Sequence, residues 1–356
     1  MQPANYSKVY VWKIGFSYRL KSRKSFAVTE RTRIFPNHTL YVKTLDMATL
    51  LNRKWIKIAL PGLLVAATCC QAQNVNPVKA IFPTDTRFVA NVAYAGDTLK
   101  KHLLDIYLPA KAGTNPPLVV WVHGGGWMMN DKYADMGYMK NTVRSILEKG
   151  YAFASIDYRH STTAPFPALI QDCNQALEFL YQNAAKYGYD RNRIALMGFS
   201  AGGHLASLMA LSNNNSVTDF YVNHKKPSFH IKTVVDFYGP ADLLAMIRRD
   251  APLSDTSVAS PEKYLLGASP VLRPDLAKIA SPVTYIDKND PPFLIIQGEK
   301  DESVPAAQSV MLSAWLTRAQ VKNKLIVVPG APHYGTMFDS DFNQKAIFDW
   351  LDTYLK

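Results

Sequence analysis

Eight short runs of apolar residues, rich in β-branched and aromatic side chains, recur from about residue 87 onward, and this recurrence limits the fold more than any other feature. "FVANVAY" (88–94) and "HLLDIYL" (102–108) are joined through Ala95, Gly96 and Asp97 and read as an antiparallel opening pair. "PLVVWVH" (117–123), "YAFASID" (151–157), "RIALMGF" (193–199), "IKTVVDFYG" (231–239), "PFLIIQG" (292–298) and "KLIVVPG" (324–330) come after them. These six are apolar nearly throughout instead of alternating, the pattern of a strand buried on both faces. Helical patterns fall between them, near 135–149, 167–187, 201–212, 304–320 and 341–355. Strand, helix, strand in repetition predicts right-handed crossovers and a mostly parallel sheet of about eight strands with helices on both faces. The irregular stretch from about 240 to 290 is read as a small partial lid over the C-terminal strand ends, where open parallel sheets bind ligands.

The formal charge of +12 suggests a nucleic-acid partner until it is located. Twelve of the 40 basic residues but only two of the 28 acidic ones, Glu30 and Asp46, precede residue 73, so the remainder is close to neutral. A basic groove in the folded body is not expected, and no nucleic-acid partner is assigned.

The front end has its own logic. In "LNRKWIKIALPGLLVAATCCQAQ", Arg53, Lys54 and Lys57 precede an apolar run that ends in small residues at Cys70 and Ala72. This reads as a secretory signal over 47–72, too short to span a bilayer, so the expected product is secreted or periplasmic with no stable membrane span. Lipid attachment at Cys69 or Cys70 is the lesser alternative, because the preceding residues lack a branched apolar side chain. Residues 1–46 are read as an extension without a folded role, with Met47 as the start, 73–86 as a linker and 87–356 as one domain. Only Cys173 lies beyond the signal, on an apolar helix face where packing is its expected role.

Within that scaffold, "GFSAGGHLA" (198–206) sets Ser200 between a strand and a helix, the context of a nucleophile elbow. A serine hydroxyl needs a base, and the base needs an orienting carboxylate. His333 in "VVPGAPHYG" stands just past the last strand, and Asp301 in "IIQGEKDESVP" just past the strand before it. The order Ser200, Asp301, His333 matches the order found in this fold; Glu299 and Asp290 are competing acids nearby, read more readily as solvated loop charges. "WVHGGGWMM" (121–129) offers bare backbone N–H groups, so Gly125 and Gly126 with Ala201 are the expected oxyanion hole. No Lys-Ser or Lys-Thr comes after these glycines, against a phosphate loop, and no paired metal spacing occurs, so no metal or cofactor is assigned. His123 is read as bracing the glycine loop, His204 as packing near the site, and Asp172 as tying Arg159 and its loop to a helix. Trp127, Tyr158, Tyr238 and Tyr334 are the aromatic candidates for substrate contact.

The same stretches, "HGGGW", "DYR" followed by "PFPALIQD", "GFSAGGHLA", "DFYGPADL", "SPVTYIDKNDPPFLIIQGEKDESVP" and "PGAPHYG", resemble an α/β-hydrolase serine esterase of the hormone-sensitive-lipase-like group. Within it they are most similar to the bifunctional feruloyl and acetyl esterase-like branch, which includes enzymes deacylating plant polysaccharides. The resemblance covers Phe88 to Lys356 and implies a triad of Ser200, Asp301 and His333 with Gly125, Gly126 and Ala201 as oxyanion donors. Phe199 stands where lipase-like relatives commonly carry Asp, which weakens any inference about long-chain lipids. The implied substrate is a small-molecule or polysaccharide ester with a short acyl or feruloyl group. The alternatives are a general short-chain esterase, an amide or peptide hydrolase, and a catalytically silent ligand-binding homologue.

Overall fold

The apolar runs become strands because each alternates its side chains between two cores. In β3 (Pro117–Val122), Leu118, Val120 and Val122 enter one core, and Val119 and Trp121 enter the other. β5 (Asp190–Phe199) divides Leu196 from Met197 and Phe199 in the same way, so no position on either strand's central stretch faces water. Burying each such side chain contributes about 1.5–3 kcal/mol.

The computed structural model describes residues 76–110, 115–215, 217–246 and 260–356, which fall in the compact unit Asn74–Lys356. The expected extension (1–46), signal segment (47–72) and lipid-attachment cysteines lie outside the described residues. The remaining strands are β1 (Arg87–Ala93), β2 (Leu103–Leu108), β4 (Ala152–Ile156), β6 (Thr233–Phe237), β7 (Phe293–Gly298) and β8 (Asn323–Val328). They form one eight-stranded sheet in the order β1-β2-β4-β3-β5-β6-β7-β8. β2 runs antiparallel to both β1 and β4, and every other pair is parallel. The helices are α1 (Lys140–Glu148), α2 (Ala168–Gln182), α3 (Ala184–Tyr187), α4 (Ala201–Ser212), α5 (Pro261–Leu266), α6 (Pro274–Ile279), α7 (Ala307–Arg318) and α8 (Asp341–Leu355). None of the described helices is long and apolar enough to cross a membrane.

Register puts the chemistry at one edge. Val122 pairs with Gly198, Phe199 with Phe237, and Gly298 with Val328, so β3, β5, β6, β7 and β8 deliver their succeeding loops together at their C-terminal ends. α4 is buried at every position, which explains why its sequence is apolar all round.

The stretch from 240 to 290 differs from the irregular lid expected of it. Its described part contains α5, α6 and a 3-10 turn at Pro282–Tyr285, each with a proline in its first turn. Proline is well tolerated there because the N–H it lacks would have had no helical acceptor. Only part of the segment covers the strand ends: Met246, Pro261 and Glu262 line the cleft, whereas Ala280 and its neighbours lie against α4. Residues 247–259 lie outside the described residues.

Candidate active site

Ser200 is held in a backbone conformation that a non-glycine residue rarely adopts, with φ 53° and ψ −116°, on the turn between β5 and α4. Its N–H donates to Phe237 O at 2.8 Å, and its carbonyl accepts the His204 N–H at 2.9 Å. The turn can be this tight because its neighbours lack side chains. A Cβ on Gly202 would run into the carbonyl oxygens of Val122 and His123, and one on Gly198 into the backbone of Gly202.

The Ser200 Oγ lies 2.8 Å from His333 Nε2, and His333 Nδ1 lies 2.7 Å from Asp301 Oδ2. With Asp301 ionised the Nδ1–H donates to the carboxylate, which leaves Nε2 to accept the serine proton. The Asp301 side chain is fully buried and the His333 ring is largely covered. Oδ1 of Asp301 accepts the N–H groups of Ser303 (2.9 Å) and Val304 (2.8 Å), and Oδ2 also accepts Gln297 Nε2 (3.0 Å). Four donors on one carboxylate, the His333 ring N–H included, fix its position. Glu299 instead accepts the Gly330 N–H at 2.7 Å and so ties the two loops together. Asp290 corrects its reading as a solvated charge: it is buried, and burial pushes its carboxyl up to about 7.

Gly125 and Gly126 occupy left-handed conformations, with φ 122° and 57°, on the loop after β3. Among the described residues neither N–H has a protein acceptor, and Ala201, the first residue of α4, has no acceptor within its helix. His123 is buried beneath this loop; its Nδ1 lies 2.7 Å from Gly124 O, and its ring stacks on Tyr158 at 4.3 Å. Burial without an ion-pair partner in hydrogen-bond range pushes its imidazole down to about 3. His204 donates from Nε2 to Ala280 O at 2.7 Å and accepts Trp127 Nε1–H at 3.2 Å on Nδ1, and burial lowers it to about 4. Neither ring is within reach of the serine proton. Asp172, fully buried, accepts the Arg159 backbone N–H (2.9 Å), Nε (2.8 Å) and Nη2 (2.6 Å), and so fastens the loop after β4 to α2.

A cleft of about 620 Å³ opens over Ser200 and His333. Of the four aromatic candidates, Trp127, Tyr238 and the 65% exposed Tyr334 line it. Tyr158 does not. Its ring is fully buried and its hydroxyl donates to His123 O at 2.8 Å, because β4 ends beneath the glycine loop and not beside the cleft. Tyr158 is thereby corrected from a substrate contact to a support of the loop. Trp127, like Tyr238, is almost wholly covered, and its indole N–H is committed to His204. The buried Cys173 thiol is pushed well up by its apolar surroundings.

Several residues of the site escaped the sequence reading. Asp135 and Tyr138 line the cleft, and Asp135 Oδ2 accepts the Gly124 N–H at 2.7 Å. Nothing in "DKYADMGYM" signals that placement. Gln297 did carry a signal, being the one polar side chain inside an otherwise apolar strand that leads to Asp301. Among the described residues no group of three or more His, Cys, Asp or Glu side chains could hold a metal ion.

The BD-FAE family model matches residues 104–316. Esterase LipQ of Mycobacterium tuberculosis is 33% identical over 227 residues, 62% of this chain and 51% of that protein. Esterase LipC of the same organism is 30% identical over 252 residues, 70% of this chain and 60% of that protein. The chain thus spans about half the length of the curated relatives it matches. A truncated carbohydrate esterase from gut microbiota superposes with a TM-score of 0.69 and 34% identity, over 77% of this chain and 98% of that one. A bifunctional GH43-CE protein of Bacteroides eggerthii gives 0.68 and 36%, over 76% of this chain and 38% of that one.

Proposed function

The chain belongs to the BD-FAE family and has the α/β-hydrolase fold, and from that premise we propose that it is a serine carboxylesterase acting on short acyl esters of carbohydrates. The observation that carries this reading is the hydrogen-bonded line from Ser200 Oγ through His333 to Asp301. In the reaction Ser200 Oγ attacks the ester carbonyl carbon while its proton passes to His333 Nε2. The carbonyl oxygen becomes an anion facing the N–H groups of Gly125, Gly126 and Ala201, where each donor is worth about 2.7–4 kcal/mol of barrier. The C–O bond to the alcohol then breaks, His333 returns the proton to the departing oxygen, and an acyl-serine remains. Water repeats the sequence with His333 as base and releases the acid. Asp301 holds the imidazole in the required tautomer throughout.

Two of the structural relatives are a carbohydrate esterase and a GH43-CE protein, which supports a sugar ester as substrate. The cleft volume lies in the range of sites for small molecules, and we read the acyl group it takes as acetyl or feruloyl. The names of the curated relatives, esterases LipQ and LipC, favour a second reading as a general short-chain esterase. Rates on acetylated xylan, methyl ferulate, p-nitrophenyl acetate and an aminoacyl amide rank these. The sugar acetate is expected to lead; a lead for p-nitrophenyl acetate favours the general esterase, and a lead for the amide contradicts both. We also infer export through the segment 47–72, which N-terminal sequencing of the natural protein tests; a mature chain beginning before Met47 would overturn it.

A further inference from the structure

One wall of the cleft is built from hydrogen-bond acceptors whose own donors are already used. Asp135, Tyr138 and Tyr238 line the same cleft as Ser200 and His333. Asp135 Oδ2 accepts the Gly124 N–H at 2.7 Å, Oδ1 accepts the Tyr138 hydroxyl at 2.7 Å, and the Tyr138 and Tyr238 hydroxyl oxygens are 2.9 Å apart. A phenol carries one hydrogen. Tyr138 gives its hydrogen to the carboxylate, so the shared bond between the two tyrosines is donated by Tyr238. The row therefore runs in one direction, and what remains toward the cleft is lone pairs on the Asp135 carboxylate and on the Tyr138 oxygen. Tyr238 is buried and fixes that direction, whereas Asp135 and Tyr138 are half-buried. Glu262 adds a second carboxylate, and no Lys or Arg occurs among the described lining residues.

Such a wall matches a ligand that brings hydroxyl donors and repels one that brings a carboxylate. Asp135 is held there by more than a turn: its own backbone has φ 70°, a left-handed conformation that aspartate tolerates at some cost. We propose that Asp135 and Tyr138 form the subsite that reads free hydroxyl groups on the alcohol part of the ester, with Asp135 as the residue that sets the preference for a partly acylated sugar. This rests on the ester hydrolase reading and adds to it the side of the cleft on which the sugar is recognised.

The variant that tests it is Asp135→Asn. An asparagine oxygen can still accept the Gly124 N–H, while its amide turns an acceptor toward Tyr138 into a donor and so reverses the row. The measurement is a ratio of kcat/KM within each protein: a mono-O-acetylated methyl xyloside with free neighbouring hydroxyls against its O-methylated counterpart. A charge-assisted hydrogen bond lost to methylation is expected to cost the native protein about tenfold or more. In Asp135→Asn the ratio is expected to fall to near unity, whatever happens to the absolute rates. Tyr138→Phe, which leaves the bond to Gly124 in place, is expected to lower the ratio in part and serves if Asp135→Asn does not fold. A ratio near one in the native protein, or an unchanged ratio in the variants, overturns the proposal, because loss of loop positioning alone slows both esters together. A change confined to methyl ferulate would also overturn it, since the hydroxyl read would then sit on the acyl group. Failure of the native protein to hydrolyse any ester, p-nitrophenyl acetate included, would sink the hydrolase reading instead.

Discussion

Ser200, Asp301 and His333 stand on short turns directly beyond buried strands, whereas Gly125 and Gly126 ride on a connection that runs from residue 123 to 139 before α1 begins. The turns are fixed by main-chain bonds to neighbouring strands and loops: Ser200 N–H to Phe237 O, Lys300 N–H to Ala331 O at 2.9 Å, and Glu299 N–H to Val328 O at 3.1 Å. The glycine loop has bonds of its own, Met129 N–H to Gly125 O at 3.1 Å and Gly124 N–H to Asp135 among them, and is held besides by side chains and loops from elsewhere. Lys101 Nζ donates to Asn130 O at 2.5 Å, Ser161 N–H to Trp127 O at 2.8 Å, Tyr158 to His123 O, and Lys132 N–H to Asp157 Oδ1 at 3.1 Å. Three of its non-glycine residues, Trp127, Asn130 and Asp135, have positive φ. A loop strained at that many points keeps its shape only while its surroundings over-determine it. The difference teaches where each kind of lesion acts. Changes on the turns should remove chemistry and spare the fold, and changes under the loop should erode both by degrees.

Ser200→Ala gives the largest expected effect, a loss of kcat on the order of a million-fold with a melting temperature close to that of the native protein. Steady-state kinetics and calorimetry on one preparation check both halves; a large fall in stability would erase the contrast between the two regions. Gly202→Ala tests the limit of the turn side, because its Cβ has backbone oxygens in the way. It is expected to destabilise by about 3 kcal/mol in urea unfolding.

Acid should find the buried histidines under and beside the loop. His123 and His204 are held near 3 and 4, below the unfolded value of about 6.5. The unfolded chain therefore binds protons that the fold refuses, so their contribution to stability is full above about 6.5 and is lost as the pH falls toward those values. Asp236 and Asp290 run the other way: burial raises them to about 6 and about 7, so their contribution is present below about 4 and is lost as pH rises through those values. The two pairs oppose one another between pH 6.5 and 4, so the histidine share shows in a variant. His204→Gln is expected to lose less stability than the native protein, or to gain more, as the pH drops across that window. Melting temperatures at a series of pH values check this; identical profiles would contradict the assignment. Tyr158→Phe is the smallest change. Losing its bond to His123 O is expected to cost about 1 kcal/mol in stability and several-fold in kcat/KM, read from denaturation and initial rates.

The same contrast sets what the sequence made legible. The central strands could be read because two buried faces require uninterrupted apolar runs, and the edge strand β1, with no fully buried position, through its turn into β2; Ser200, Asp301 and His333 could then be paired with strand ends. α1 begins at Lys140 instead of near 135 because residues up to Met139 belong to the glycine loop, whose left-handed Asp135 cannot start a helix. The prolines at 261, 274 and 282 marked helix starts as well as loops, a distinction set by the residues on their C-terminal side. Tyr158 was placed near the site correctly but facing the wrong way, since adjacency in sequence does not give the direction of a ring. Asp135 was invisible because nothing in the run from Gly124 to Tyr138 shows that the loop folds back on itself to put Asp135 on the Gly124 N–H, and Tyr238 reaches Tyr138 only through the folded sheet.

The proposed chemistry depends most on the reactivity of one hydroxyl. Treatment with a fluorophosphonate, then intact mass and peptide mapping, is expected to give a single adduct on Ser200, slowed severely in His333→Ala and absent in Ser200→Ala. An unlabelled native protein, or an adduct that persists without the Ser200 hydroxyl, would contradict it.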